Sequence, residues 1–254
     1  MTVEAPDRAD AGQRRWRWPS SLDSTLLAMA LLLVWEAGVR LGEVPAYLLP
    51  PPSMIAMRMV TDYRMLLMHT LVTVNEVVIG FALAIAVSIP LAALLAQFRP
   101  LERALYPILV ASQTIPKVAI APLFVVWFGF GLLPKILIAF LICFFPILID
   151  ALIGFRSTPK EVIWLARSMG ASRRRIFLMA RLPSALPYFF AGLRISITYA
   201  VVGAIFAEYA GAARGLGIYI LNAKNNFRPD LVLAAVFVSA TLTLLLFGAT
   251  VLLQ

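Results

Sequence analysis

Apolar runs of about 20 residues recur along this chain from Leu22 onward, and a run of that length is what a helix needs to cross a bilayer core about 30 Å thick. The chain is 61% hydrophobic and only 14% charged, against roughly 45–50% and about 25% in a soluble domain. Spanning segments are expected at 22–41, 70–96, 104–128, 132–155, 184–208 and 231–253, so the fold class is an all-α membrane protein with six transmembrane helices. The transmembrane domain then covers 21–254, behind a polar cytoplasmic tail of residues 1–20. A cleaved signal peptide is the other reading of the first run. It is disfavoured because the run is longer than an h-region and no small-x-small site closes it.

The formal charge of +9 would raise the question of nucleic acid in a soluble protein. In a membrane protein the basic residues are first sorted by loop. With the N-terminus inside, inner loops carry Arg8, Arg14, Arg15, Arg17, Arg99, Arg103, Arg156, Lys160, Arg167, Arg173, Arg174, Arg175 and Arg181, more than half of the 22 basic residues. Both termini are therefore expected in the cytoplasm, and no nucleic-acid partner is inferred. Cys143 and His69 are each the only residue of their kind, which leaves no intramolecular disulfide and few metal or catalytic arrangements. His69 reads as an interfacial or capping group where the outer loop meets the second span.

Pro90, Pro107, Pro116, Pro122, Pro134 and Pro146 fall inside the runs, and each removes a backbone donor. Such breaks survive in hydrocarbon only where protein or a watery cavity satisfies the freed carbonyls. The third and fourth spans are expected to be interior and irregular, most clearly from Gln113 to Pro122, where Lys117 sits between two prolines.

Ionisable residues within spans are costly and mark an interior or a pathway. Glu76, Lys117, Arg194 and Glu208 are the candidate translocation-pathway residues; for Glu76, Arg194 and Glu208, interior pairing is an equal reading. Glu36 and Asp150 lie near span ends and are read as reaching the interface. Trp127, Phe128 and Phe130 read as an interfacial aromatic belt, with substrate stacking as the alternative.

The stretch 156–183 is the one sizeable polar segment of the second half. Thr158-Pro159 is expected to start a helix, Gly170 to stop it, and Ser172 to cap a second short helix leading to Leu182-Pro183. Gly170 fits a turn that needs positive φ. Apolar Trp164, Leu165 and Met169 beside Arg167 and Arg173 suggest docking to a partner. Arg173, Arg174 and Arg175 are either topology determinants or part of that contact.

At these residues the chain resembles the permease family of bacterial ABC importers. The segment is similar to the family's EAA loop, with Ala166, Gly170, Leu182 and Pro183 at matching positions, Trp164 at the usual glutamate position and Ala180 in place of isoleucine. The resemblance extends over about 48–250, through Pro51-Pro52-Ser53, His69-Thr70, Gly80-Phe81, Ile115-Pro116, Ala121-Pro122-Leu123, the Trp127–Gly131 stretch, Lys135-Ile136, Phe144-Phe145-Pro146, Gly192-Leu193-Arg194, and Glu208 with Gly215-Leu216-Gly217. It is nearest the branch for nitrate, sulfonates, taurine and thiamine-precursor pyrimidines, and within it the hydroxymethylpyrimidine and riboflavin-type permeases.

The resemblance implies a MetI-like fold and a dimer of permeases. It also implies two ATPase subunits that use ATP and Mg²⁺, and an extracytoplasmic substrate-binding protein. The ATPase-coupling residues it implies are Trp164, Leu165, Ala166, Arg167, Ser168, Met169, Gly170, Ala171, Ser172 and Arg173. The chain has no Gly-Lys dipeptide, hence no Walker A loop, so no cofactor is expected on this chain and it is not expected to be an enzyme. Two other classes stand beside this reading. A self-contained secondary transporter or channel lacks support from matched halves. An integral membrane enzyme lacks clustered catalytic groups.

Overall fold

The computed structural model describes residues 21–254, with side chains from Thr25 onward, and its apolar runs are helical. The tail expected over 1–20 lies outside the described residues. In chain order the helices are α1 (Ser21–Leu41), α2 (Pro52–Thr61), α3 (Tyr63–Gln97), α4 (Arg99–Gln113), α5 (Ala121–Phe128), α6 (Leu132–Arg156), α7 (Lys160–Ser168), α8 (Arg173–Ile176), α9 (Leu182–Tyr209), α10 (Leu216–Asn225) and α11 (Pro229–Leu252). A 3-10 turn, Lys117–Ile120, precedes α5, and a π-helical turn, Phe177–Arg181, joins α8 to α9.

Among the described residues, four helices are long and apolar enough to cross a bilayer: α3, α6, α11, and the continuous rod from Arg173 to Tyr209. The expected third span, 104–128, is not one straight helix. It divides into α4 and the Lys117–Phe128 segment, which meet at 80° and count as a fifth crossing if they are one broken span. Pro116, which has no N–H to continue the ladder, sits at the break. The first run is α1, a 21-residue helix tied to α2 where Glu36 accepts from the Ser53 amide at 2.9 Å and the Ser53 hydroxyl at 2.7 Å. The second span starts earlier than position 70, at Tyr63, and is 35 residues long. Two shorter helices, α2 and α10, lie between α1 and α3 and between α9 and α11.

The core is built on α6, which packs along α3 and α9. In lipid there is no hydrophobic drive between helices, so close van der Waals packing of small residues has to hold them together. Ala84 and Ala92 on α3, Ala139 and Ala151 on α6, and Ala200 and Ala204 on α9 are buried at these seams. On the Pro146 turn of α6, neighbouring helices add side-chain bonds to the backbone: the Ser88 hydroxyl donates to the Phe144 carbonyl at 3.0 Å, and the Ser196 hydroxyl to the Cys143 carbonyl at 3.0 Å. α6 is interior as expected. α4 is not: Glu102 is its one buried residue in the single chain.

Candidate functional site

The segment between α6 and α9 forms a small unit at one end of the bundle. Pro159, in extended backbone, precedes α7 rather than occupying its first position, and the buried Thr158 hydroxyl makes no cap bond. α7 ends as expected in a Schellman turn: the Gly170 amide donates to the Arg167 carbonyl and the Ala171 amide to the Ala166 carbonyl, both at 2.9 Å. Gly170 has φ +78°, the left-handed conformation that the missing Cβ makes accessible.

Ser172 then caps α8 by accepting the Arg175 amide at 3.3 Å. α8 does not end before Leu182; it runs through the π turn straight into α9. Trp164, Leu165 and Met169 are 62%, 63% and 79% exposed, beside exposed Arg167, Ser168 and Arg173 and half-buried Ala166. The unit is anchored beneath this face by buried Ile176, by Phe155 against Phe177 with ring centroids 5.2 Å apart, and by Arg181 donating to the Ala96 carbonyl at 3.2 Å.

A buried polar cluster joins α3, α6, α9 and α10 deeper in the fold. Glu76 and Glu208 are both 0% exposed and are brought together here. Glu76 Oε1 pairs with Lys135 Nζ on α6, whereas Glu76 Oε2 has no hydrogen-bond partner. Glu208 accepts from the Thr73 hydroxyl at 2.7 Å and from the Gly217 amide. Thr73 Oγ1 accepts the Leu216 amide at 2.9 Å, and His69 Nδ1 accepts the Gly215 amide at 3.0 Å. Three side chains thus satisfy three successive amides at the start of α10, donors that a helix leaves without internal partners. His69 is buried in this cluster, not interfacial, because α3 begins six residues before it.

The other two candidate pathway residues lie elsewhere. Lys117, at the break before α5, lines a cavity of about 250 Å³ with Val118, Ile142, Tyr199, Val202, Gly203 and Phe206. Its ammonium stands 4.9 Å from the Phe145 ring centroid. Arg194 reaches the Gln254 side chain and keeps a buried Nε without a partner. Thr73 and Lys135 were not singled out as functional in the sequence, although a lysine within an apolar run was a readable signal for Lys135. Trp127, in the last turn of α5, and Phe130, just beyond it, are 62% and 83% exposed.

The described residues form a helical bundle with one broken span and an exposed helical turn at one end, and comparison with known proteins gives its family. Residues 84–254 match the family described as binding-protein-dependent transport system inner membrane component. The chain is 39% identical over 230 residues to the formylaminopyrimidine transport permease protein of Halalkalibacterium halodurans, covering 90% of this chain and 92% of that one. It is 40% identical over 236 residues to the riboflavin transport system permease protein of Chloroflexus aurantiacus, covering 92% and 88%. Among solved structures, an inward-facing form of the MetNI methionine ABC transporter superposes with a TM-score of 0.63 at 20% identity, covering 75% of this chain and 94% of that one; this match shows the MetI-like fold. The chain belongs to the binding-protein-dependent transport permease family and is the membrane-embedded permease subunit of an ABC importer.

Proposed function

We propose that this permease carries a small planar heterocycle, a pyrimidine precursor or a flavin, across the bacterial plasma membrane with both termini on the cytoplasmic side. The 39–40% identical relatives are named for such cargo, and Tyr199 and Phe206 give the Lys117 cavity flat apolar surfaces on which a ring can stack. That wall is half exposed in the single chain, with Tyr199 at 59%, and a second copy facing it would complete the pathway as a homodimer. Glu76 and Glu208 belong to the buried cluster instead, and Arg194 stands farther along α9.

No chemistry on the cargo and no bound cofactor is assigned to this chain. ATP and Mg²⁺ are used by separate ATPase subunits that dock on Trp164–Arg173, and a binding protein delivers cargo from outside. The observation that carries this reading is the exposed Trp164, Leu165 and Met169 cluster beside the Gly170 turn, an apolar surface of the kind that marks a partner contact. Lys117 favours the other cargo class, a sulfonate-, nitrate- or taurine-like anion, and competition between the two in an uptake assay separates them.

The test is ATP hydrolysis by the assembled importer in nanodiscs with its binding protein and either pyrimidine precursor or flavin. Cargo should stimulate hydrolysis, and Trp164→Asp should abolish stimulation while the permease still inserts. Accumulation of cargo in liposomes by this chain alone, driven by an ion gradient, would overturn the reading.

A further inference from the structure

We propose that the first turn of α4 holds the phosphate headgroup of an anionic phospholipid between Arg99, Arg103 and Arg156. These three arginines line a cavity of about 610 Å³ with Tyr106, Pro107 and Glu102. Glu102 is the only carboxylate in it and is already paired with Arg156. Among the described residues neither Arg99 nor Arg103 has an ion-pair or hydrogen-bond partner. Three guanidinium groups against one engaged carboxylate leave a net positive cavity, and a guanidinium fork matches phosphate oxygens two at a time. The Tyr106 hydroxyl adds a neutral donor on the same wall.

A second cavity identifies the source of the phosphate. Leu94, Phe98, Pro100 and Leu101, across the junction of α3 and α4, line an apolar hollow of about 360 Å³, and Leu94 and Phe98 are 42% and 55% exposed. Inorganic phosphate would use only the basic cavity. A phospholipid uses both, with its headgroup on the arginines and the start of an acyl chain in the hollow. The position fits as well: both cavities lie where α3 gives way to α4, near the Arg181–Ala96 contact that anchors the α7–α8 unit. Basic pockets between membrane helices are general binding places for anionic headgroups.

The test uses the assembled importer, ATPase included, in nanodiscs of phosphatidylcholine with a minor fraction of phosphatidylglycerol, and counts retained lipids by native mass spectrometry. The wild type should retain phosphatidylglycerol in preference to phosphatidylcholine. The double variant R99Q/R103Q should retain it about 30-fold less, as the loss of two near-surface cations implies. R64Q/R214Q, which removes as much charge elsewhere, should retain it normally, and thermal unfolding of each variant confirms folding. The proposal is overturned if R99Q/R103Q holds phosphatidylglycerol like the wild type or if R64Q/R214Q loses it equally. It is also overturned if millimolar inorganic phosphate displaces the lipid, which would assign the cavity to a free anion.

Discussion

The Thr73 hydroxyl on α3 donates to the Glu208 carboxylate on α9 at 2.7 Å while accepting the Leu216 amide at 2.9 Å, so one small side chain joins three helices. Thr73 and Glu208 are both 0% exposed, so bulk solvent does not reach either bond. Thr73→Val keeps the shape and removes both. The expected result is a loss of about 2 kcal/mol, since a buried polar group left unpaired costs about 1–3 kcal/mol. Thermal unfolding in detergent measures it, and Thr73→Ser should recover most of the loss.

Gly215 has φ +134°, and a Cβ built there would run into the Glu208 carboxylate. Gly215→Ala therefore combines backbone strain with a clash against an immobile group. It should destabilise by about 3 kcal/mol and free the start of α10. Faster amide hydrogen exchange at 215–219, compared with the wild type, is the readout.

Gly170 presents the opposite case. It shares the left-handed backbone, but a Cβ there meets nothing within 4 Å. Gly170→Val should cost about 1–2 kcal/mol locally, leave insertion and bundle stability intact, and abolish cargo-stimulated ATP hydrolysis. Gly170→Asn, which tolerates this backbone, should retain most of the stimulation. Equal activity in both variants would show that the turn's conformation is irrelevant to coupling.

The Lys135–Glu76 pair is buried on both sides, with side chains 9% and 0% exposed. Lys135→Met strands a carboxylate and Glu76→Gln strands an ammonium, each costing about 3–5 kcal/mol. The double variant E76Q/K135M removes both charges and should lie well above either single change. Unfolding midpoints of the four proteins form the double-mutant cycle that tests this.

The helices that cross were readable because the bilayer imposes one length on all of them; 132–155 corresponds to α6 almost residue for residue. The extension of α3 back to Tyr63 was hidden because Asp62 and Arg64 look like loop residues, although helix begins at Tyr63, where α10 and α11 pack against α3. α2 and α10, at 10 residues each, are too short to carry a spanning signal. The proline-rich break before α5 was legible in kind, but the 80° bend depends on packing against α6 and α9. Glu208 and Gly215-Leu216-Gly217 stood out as residues; their meeting with His69 and Thr73, well over a hundred positions away, is a tertiary fact that local patterns do not encode. The glycine turn at 170 was the most transparent feature, because it is local and nearly all of its hydrogen bonds close within five residues.

Between Arg173 and Tyr209 the backbone is helical without a gap, so the chain has no slack there. Rotating or translating the Ser172 end must move the Glu208 end too, unless the rod yields at the π turn or at Pro187. Such a shaft also fixes a phase: one residue added within it would swivel everything beyond by about 100°, turning Tyr199 and Phe206 away from their cavity, whereas seven would restore the facing.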